Sequence, residues 1–233
     1  MAKLYGIGTG PGDSSLLTLK AVKILESIDV IFTPEAKKGG DSLALSIVKD
    51  YINPKAEIIQ KHFPMNFNEE EKNEAWDEIA EDIEAQVKGG KNVAFITLGD
   101  SMTYSTYIYL LIRLQGKIDI ETVPGITSFA NIAASHNMPL VFDKDSLVVV
   151  PCTTDHEKID FALANFNSIV LMKVYKNFQD IIDKIKEHKL EKHAILVSNS
   201  SLEEEKVYRN LENVDKGQIS YFSTIVINKN ITA

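Results

Sequence analysis

Gly6-Ile7-Gly8-Thr9-Gly10-Pro11-Gly12-Asp13 is the stretch on which the architecture turns. Every second residue from Gly6 to Gly12 is glycine, so the backbone can take positive φ and approach a ligand closely. Lys3–Gly8 ahead of it reads as a short strand. Ser14–Ser27 behind it predicts a helix, with Leu17, Val22, Ile24, Leu25 and Ile28 at near-helical spacing and Ser14 and Ser15 as caps. A dinucleotide loop of the form G-x-G-x-x-G, counted from Gly6, would need its third glycine at the position of Pro11, which has no amide hydrogen to donate. No P-loop lysine follows either. The loop is therefore a glycine-rich strand-to-helix turn that fits neither common phosphate cradle, and a ligand-free tight turn is the plain alternative.

Outward from this loop, short apolar runs alternate with amphipathic stretches. Asp29–Thr33 predicts a strand stopped by Pro34, Ser42–Tyr51 a helix stopped at Asn53-Pro54, and Ala56–Gln60 a strand. Glu69–Lys88 predicts a long polar helix with Ala75, Ile79, Ile83 and Val87 on one stripe, ended by Gly89-Gly90. Asn92–Leu98 is a strand that runs straight into Gly99-Asp100, and Tyr107–Leu114 is a helix ended near Gly116. The second half repeats the alternation: strands at Ile118–Val123, Ser146–Val150, Ser168–Met172 and His193–Val197, and helices at Ser128–Ser135, Glu157–Ala164 and Ile181–Glu187. Glu205–Leu211 and Ile219–Ile227 then follow as two strands with no helix between them. The alternation predicts an α/β fold with a mainly parallel sheet, and the final strands an antiparallel addition. Gly116–Asp119 marks the expected boundary between an N-terminal α/β domain, 1–117, and a C-terminal one, 118–233.

Composition narrows the function. The 233 residues carry a net charge of -8 and a pI near 5.2. An acidic surface argues against a nucleic-acid or anionic-membrane partner, though a local basic patch could still hold an anionic small molecule. Cys152 is alone, so no internal disulfide forms, and no Cys/His spacing suits zinc. No protein-bound metal is expected. The N-terminal residues lack the apolar core of a signal peptide, and no apolar run approaches the roughly 20 residues that span a bilayer. A cytoplasmic protein is expected.

The string Gly10-Pro11-Gly12-Asp13, followed by Leu16-Leu17-Thr18-Leu19-Lys20-Ala21, resembles the opening of the tetrapyrrole (corrin/porphyrin) methylases, the class III methyltransferases. Leu98-Gly99-Asp100 resembles their G-D-P motif after the fourth strand. Val123-Pro124-Gly125-Ile126-Thr127-Ser128 resembles the motif that opens the second domain, and Leu171-Met172-Lys173 a strand end that supplies a methionine to the cofactor. Within the family, Asp100-Ser101-Met102-Thr103-Tyr104-Ser105-Thr106-Tyr107, Phe32-Thr33-Pro34 and Tyr221-Phe222-Ser223-Thr224-Ile225 look like the group that methylates carbon 20 of precorrin-2 or cobalt-factor II in cobalamin biosynthesis. Pro34 stands where relatives acting on uroporphyrinogen III carry an aspartate. Ser101 stands where the family usually has proline, which is expected to loosen the turn while adding a hydroxyl.

The resemblance implies a class III methyltransferase fold: two α/β domains with the cofactor and substrate sites in the cleft between them. It implies S-adenosylmethionine as methyl donor, a tetrapyrrole as substrate and a homodimer. Carried onto matching positions, the cofactor contacts are Pro11, Leu98, Gly99, Asp100, Thr103, Thr127, Ser128 and Met172, with Ser200 and Thr224 as further positions. Asp100 offers acceptors for an ammonium or a ribose, and could instead cap the next helix. Ser128 could likewise be a simple cap. Met172 offers a soft apolar wall. Tyr104 and His62 are candidates for the base that removes the proton from carbon 20. Lys37 and Lys38, beside Gly39-Gly40, are candidates for binding the carboxylate arms of the substrate. The apolar segment His62-Phe63-Pro64-Met65-Asn66-Phe67 could line the trough for the ring. The competing readings are another class III methylase, of the diphthine synthase or ribosomal RNA type, and a non-catalytic tetrapyrrole-binding protein.

Overall fold

Strands β1 (Leu4–Gly8), β2 (Val30–Glu35), β3 (Glu57–His62), β4 (Val93–Thr97) and β5 (Ile120–Val123) form one sheet in the order β3-β2-β4-β1-β5. Every pairing in it is parallel. This is a computed structural model, and it describes residues 1–35, 42–62, 69–153, 155–211, 214 and 219–232. Two compact units divide the chain, Met1–Thr127 and Ser128–Ala233.

Side chains alternate across each strand, so each sheet needs cover on both faces. In the first unit Ile7, Ile31, Ala94 and Ile96 meet Ala21 and Leu25 of α1 (Leu19–Leu25) and Ala44 and Ile47 of α2 (Leu43–Val48). On the other face Leu4, Val30, Phe32, Val93 and Phe95 meet α3 (Glu69–Lys88) and α4 (Tyr107–Leu114). Thus β4 sends the chain onto one face while its neighbours β1 and β2 send it onto the other. In an open parallel sheet such a reversal leaves a crevice at the C-terminal strand ends, where ligands bind.

The second unit has a mixed sheet. β6 (Leu147–Pro151), β7 (Ser168–Met172), β8 (Ala194–Ser198), β9 (Lys206–Tyr208) and β10 (Ser223–Asn228) lie in the order β6-β7-β10-β8-β9. β6 and β7 are parallel, and β10 is antiparallel to both β7 and β8. Ile132 of α5 (Ser128–Ser135) packs with Val170, Ile195, Val197 and Val226 on one face. α6 (His156–Asn165) and α7 (Phe178–Glu187) cover the other. Cys152 is fully buried there, and burial pushes its thiol up to about 12, so it stays a protonated core residue.

The antiparallel addition expected at the end of the chain is present. Several sequence expectations are corrected. The helix expected over Ser14–Ser27 splits: Asp13 caps a 3-10 turn at Ser14–Leu16, and Thr18 caps α1 by accepting from the Ala21 N–H at 3.2 Å. Asp13 and Thr18 thus serve as caps, and the Ser15 N–H holds the Asp13 carboxyl below the usual carboxylate range. Pro34 does not stop β2, which runs on to Glu35. Pairing with β4 ends at Phe32, so at Pro34 the strand has only β3 as a ladder partner and its missing N–H is tolerated. In α3 the buried stripe is Trp76, Ile79, Ala80, Ile83 and Val87, with Trp76 taking the place expected of Ala75. The boundary falls after Thr127 instead of after 117, because β5 hydrogen-bonds to β1 and completes the first sheet.

The ends of β1, β4 and β5 approach backbone to backbone. A Cβ on Gly125 would lie 2.1 Å from the Gly99 carbonyl oxygen and 2.7 Å from the Gly8 carbonyl carbon. Gly125→Ala is therefore expected to cost about 3 kcal/mol, read as a lowered urea midpoint. Gly116→Ala meets open space at φ +83, and should cost about 1 kcal/mol from backbone strain alone.

Candidate functional site

In the first unit the glycine loop is held from inside. Gly6 packs under the Tyr107 ring, where a Cβ would meet ring carbons at 2.0 Å, and the Tyr107 hydroxyl is 2.9 Å from Thr122 Oγ1. Gly8 faces Gly125 and Gly99. Gly10 and Gly99 exchange backbone hydrogen bonds at 3.1 and 2.8 Å, both at positive φ. These glycines are therefore explained by chain packing first, and Pro11 lies buried beyond them.

Asp100 ties this corner together. Its Oδ1 accepts from the Met102 N–H and the Thr103 hydroxyl, each at 3.0 Å, and its Oδ2 accepts from the Gly125 N–H at 3.1 Å. A carboxylate has roughly four acceptor sites, so about one remains for a ligand donor. Ser101 does not loosen the turn as expected: its side chain is buried and its hydroxyl donates to the Val123 carbonyl at 3.0 Å. Ser105 Oγ donates to Thr97 Oγ1 and accepts from the Tyr107 N–H. Leu98, Gly99, Asp100 and Thr103 thus belong to one connected strand end. Tyr104 follows at φ +52 and is 43% exposed. Partial burial raises its phenol above the ordinary value, so at neutral pH it is a proton donor and a poor base. His62 sits at the exposed end of β3, an edge strand. Thr127 ends the first unit. Lys37, Lys38 and the segment 63–67 fall outside the described residues.

In the second unit three expected positions gather at one end of the central strands. Because β10 runs against β7 and β8, its start lies beside their C-terminal ends. Thr224 pairs with Met172 and with Val197. Ser200 lies two residues beyond β8, buried between Asn199 at φ +55 and Ser201 at φ +64. Asn131 of α5 holds this turn, donating to Ser200 Oγ at 2.9 Å and Ser201 Oγ at 2.7 Å. Ser198 and Ser223 share a buried hydroxyl contact at 2.6 Å. Ser128 is the first residue of α5, which leaves Thr127 in the position ahead of the helix. Sequence reasoning missed Asn131 and Ser223. A polar residue at an apolar helix position, in Phe129-Ala130-Asn131-Ile132, is the signal that could have found the first.

Among the described residues no three His, Cys, Asp or Glu side chains gather as they would around a metal ion, and no helix is long and apolar enough to cross a membrane.

Residues 3–215 match the family of Tetrapyrrole (Corrin/Porphyrin) Methylases. The chain is 45% identical over 228 residues to a cobalt-precorrin-2 C(20)-methyltransferase of Salmonella typhimurium, covering 97% of this chain and 96% of that one. It is 38% identical over 208 residues to a probable cobalt-precorrin-2 C(20)-methyltransferase of Methanocaldococcus jannaschii, covering 88% and 86%. In fold it is similar to the uroporphyrin-III C-methyltransferase of Thermus thermophilus crystallised with S-adenosylhomocysteine, at TM-score 0.69 and 19% identity over 98% of this chain and 92% of that one.

Ser101→Ala removes a buried hydroxyl bond to the β5 carbonyl. It is expected to cost about 1 kcal/mol in chemical denaturation.

Proposed function

The chain belongs to the tetrapyrrole (corrin/porphyrin) methylases, and from that premise we propose that it methylates carbon 20 of cobalt-precorrin-2 in cobalamin biosynthesis, with S-adenosylmethionine as donor. One observation carries the reading: similarity over nearly the full length to relatives named for that reaction, with the Gly99-Asp100 and Met172 motifs lying at C-terminal strand ends. Both of those relatives are named for the cobalt-loaded ring, which favours it over the metal-free one.

The donor supplies a methyl group already activated on a sulfonium sulfur, so the protein has chiefly to align the reactants and exclude water. The side chains present fit such a ligand. Asp100 has about one acceptor site left for an ammonium or hydroxyl. Met172 and Thr224 offer a thioether and a methyl-bearing hydroxyl on adjacent strands. Pro11, Leu98, Gly99, Thr103, Thr127, Ser128 and Ser200 complete the proposed contacts. After transfer a proton must leave carbon 20. Tyr104, held protonated, is assigned hydrogen-bond donation to the substrate, and His62 is kept as the candidate base. Lys37 and Lys38 are assigned to the carboxylate arms of the ring. The reading extends, on family resemblance, to a homodimer in the cytoplasm.

The test is an anaerobic product assay with precorrin-2, metal-free and cobalt-loaded. One methyl at carbon 20 is expected, with faster turnover of the cobalt form. Transfer to neither ring would overturn the assignment. Asp100→Ala should raise the Kd for S-adenosylhomocysteine by about tenfold, measured by calorimetry. An unchanged Kd would remove Asp100 from the cofactor contacts.

A further inference from the structure

Lys173 follows Met172 where β7 leaves its ladder. Its backbone is left-handed, at φ +59, a conformation that L residues with long side chains avoid. Such outliers persist where the surroundings over-determine them, and they gather at ligand sites. The side chain is half-buried. Burial, and then the neighbouring Lys176 charge, pull its ammonium below the ordinary lysine value. An anion arriving at such a group meets less solvent screening than at a surface lysine.

The strand register locates it further. Met172 and Thr224 form the last rung between β7 and β10. Three residues after Met172 and three before Thr224, at the same end of this antiparallel pair, Tyr175 and Tyr221 meet ring to ring at 4.9 Å. Along the chain Lys173 lies between the Met172 rung and Tyr175 of the ring pair. Phe222 meets Tyr221 edge-on at 5.0 Å. Tyr221 and Phe222 remain 45% and 40% exposed, so two aromatic rings stand partly open at the strand end that carries the lysine. The combination suits a ligand that is flat, conjugated and anionic: ring faces attract the macrocycle, and the ammonium takes an acidic arm.

We propose that Lys173 binds a carboxylate of the substrate ring at the C-terminal end of β7, with Tyr221 and Phe222 contributing apolar surface to the macrocycle. This rests on the tetrapyrrole reading above. The methionine carboxylate of the methyl donor has the same chemistry, and the open rings favour the macrocycle over it.

The experiment compares the full chain with Lys173→Gly, Lys173→Gln and Lys173→Arg. Binding of cobalt-loaded precorrin-2 is measured by anaerobic equilibrium dialysis, and binding of S-adenosylhomocysteine by calorimetry. The glycine and glutamine variants are expected to weaken ring binding by about tenfold or more, and arginine to stay within about threefold. The Kd for S-adenosylhomocysteine should stay within about twofold in all three. Lys173→Gly relieves the left-handed backbone and is expected to melt no lower than the parent, and the melting temperature, measured alongside, separates lost binding from lost folding. Ring binding unchanged in the glycine and glutamine variants overturns the proposal. So does weakening confined to S-adenosylhomocysteine, which would give Lys173 to the donor. A lowered melting temperature together with lost ring binding in all three variants, arginine included, also overturns it. The functional reading fails on a separate result, in which the parent protein binds the ring and transfers no methyl to it.

Discussion

The closest constraint in the first unit is the meeting of three backbones, at Gly8, Gly99 and Gly125. No side chain fits at Gly8 or Gly125: a Cβ on Gly125 would run into the Gly99 carbonyl oxygen, and one on Gly8 into both that oxygen and the Gly125 backbone. Parallel strands joined only by their ladders would leave three independent ends. The contact instead welds the exits of β1, β4 and β5 into one surface, and the Asp100 carboxylate and the Ser101 hydroxyl stitch it from both sides. Everything at that corner inherits its position from this contact: the bridge between Gly10 and Gly99, the turn through Thr103, and the departure of the chain toward Thr127.

A second regularity joins the two units by principle. Left-handed backbone follows β4 at Tyr104, β7 at Lys173 and β8 at Asn199 and Ser201. None of these is glycine, and while asparagine tolerates this region, Tyr104, Lys173 and Ser201 are held in it against their own preference. Around Ser200 the holding groups are identifiable: Asn131 on one side, and the Glu205 carboxylate, which accepts from the Ser201 N–H at 2.7 Å, on the other. Asn137 and Lys189, by contrast, just follow the C-termini of α5 and α7, where a left-handed residue is the ordinary way for a helix to stop.

Much of the fold was legible in the sequence because its strands and helices have strong and different periods. Ser168–Met172, Tyr107–Leu114 and Ser128–Ser135 lie where their patterns predict. What was not legible depended on partners distant in the chain. Nothing local to Pro34 reveals that its strand has lost one neighbour by that point. Nothing local to Ile120–Val123 says that it joins β1 rather than the strands that follow. The glycine loop shows the same limit. Its composition suggested a ligand, yet the Tyr107 ring and the Gly125 backbone account for Gly6 and Gly8. Motif order singled out Asp100, Met172 and Thr224, which lie at strand ends. It was silent on Asn131, which braces the turn at Ser200, and on Ser223, because they act through contacts 69 and 25 positions away.

The place of β10 has a consequence for how the second unit comes into being. It is a central strand, flanked by β7 and β8, and it is the last of the described strands. While the polypeptide is being made, β6 with β7 and β8 with β9 emerge as two separate pieces. Each presents a bare apolar edge, Ile169-Val170-Leu171 on one and Ile195-Leu196-Val197 on the other, all fully buried once the sheet closes. Such edges invite pairing with other chains. A nascent chain halted before residue 223 would carry both of them with nothing to lie between, so biosynthesis of this unit is hazardous until its final strand has cleared the ribosome.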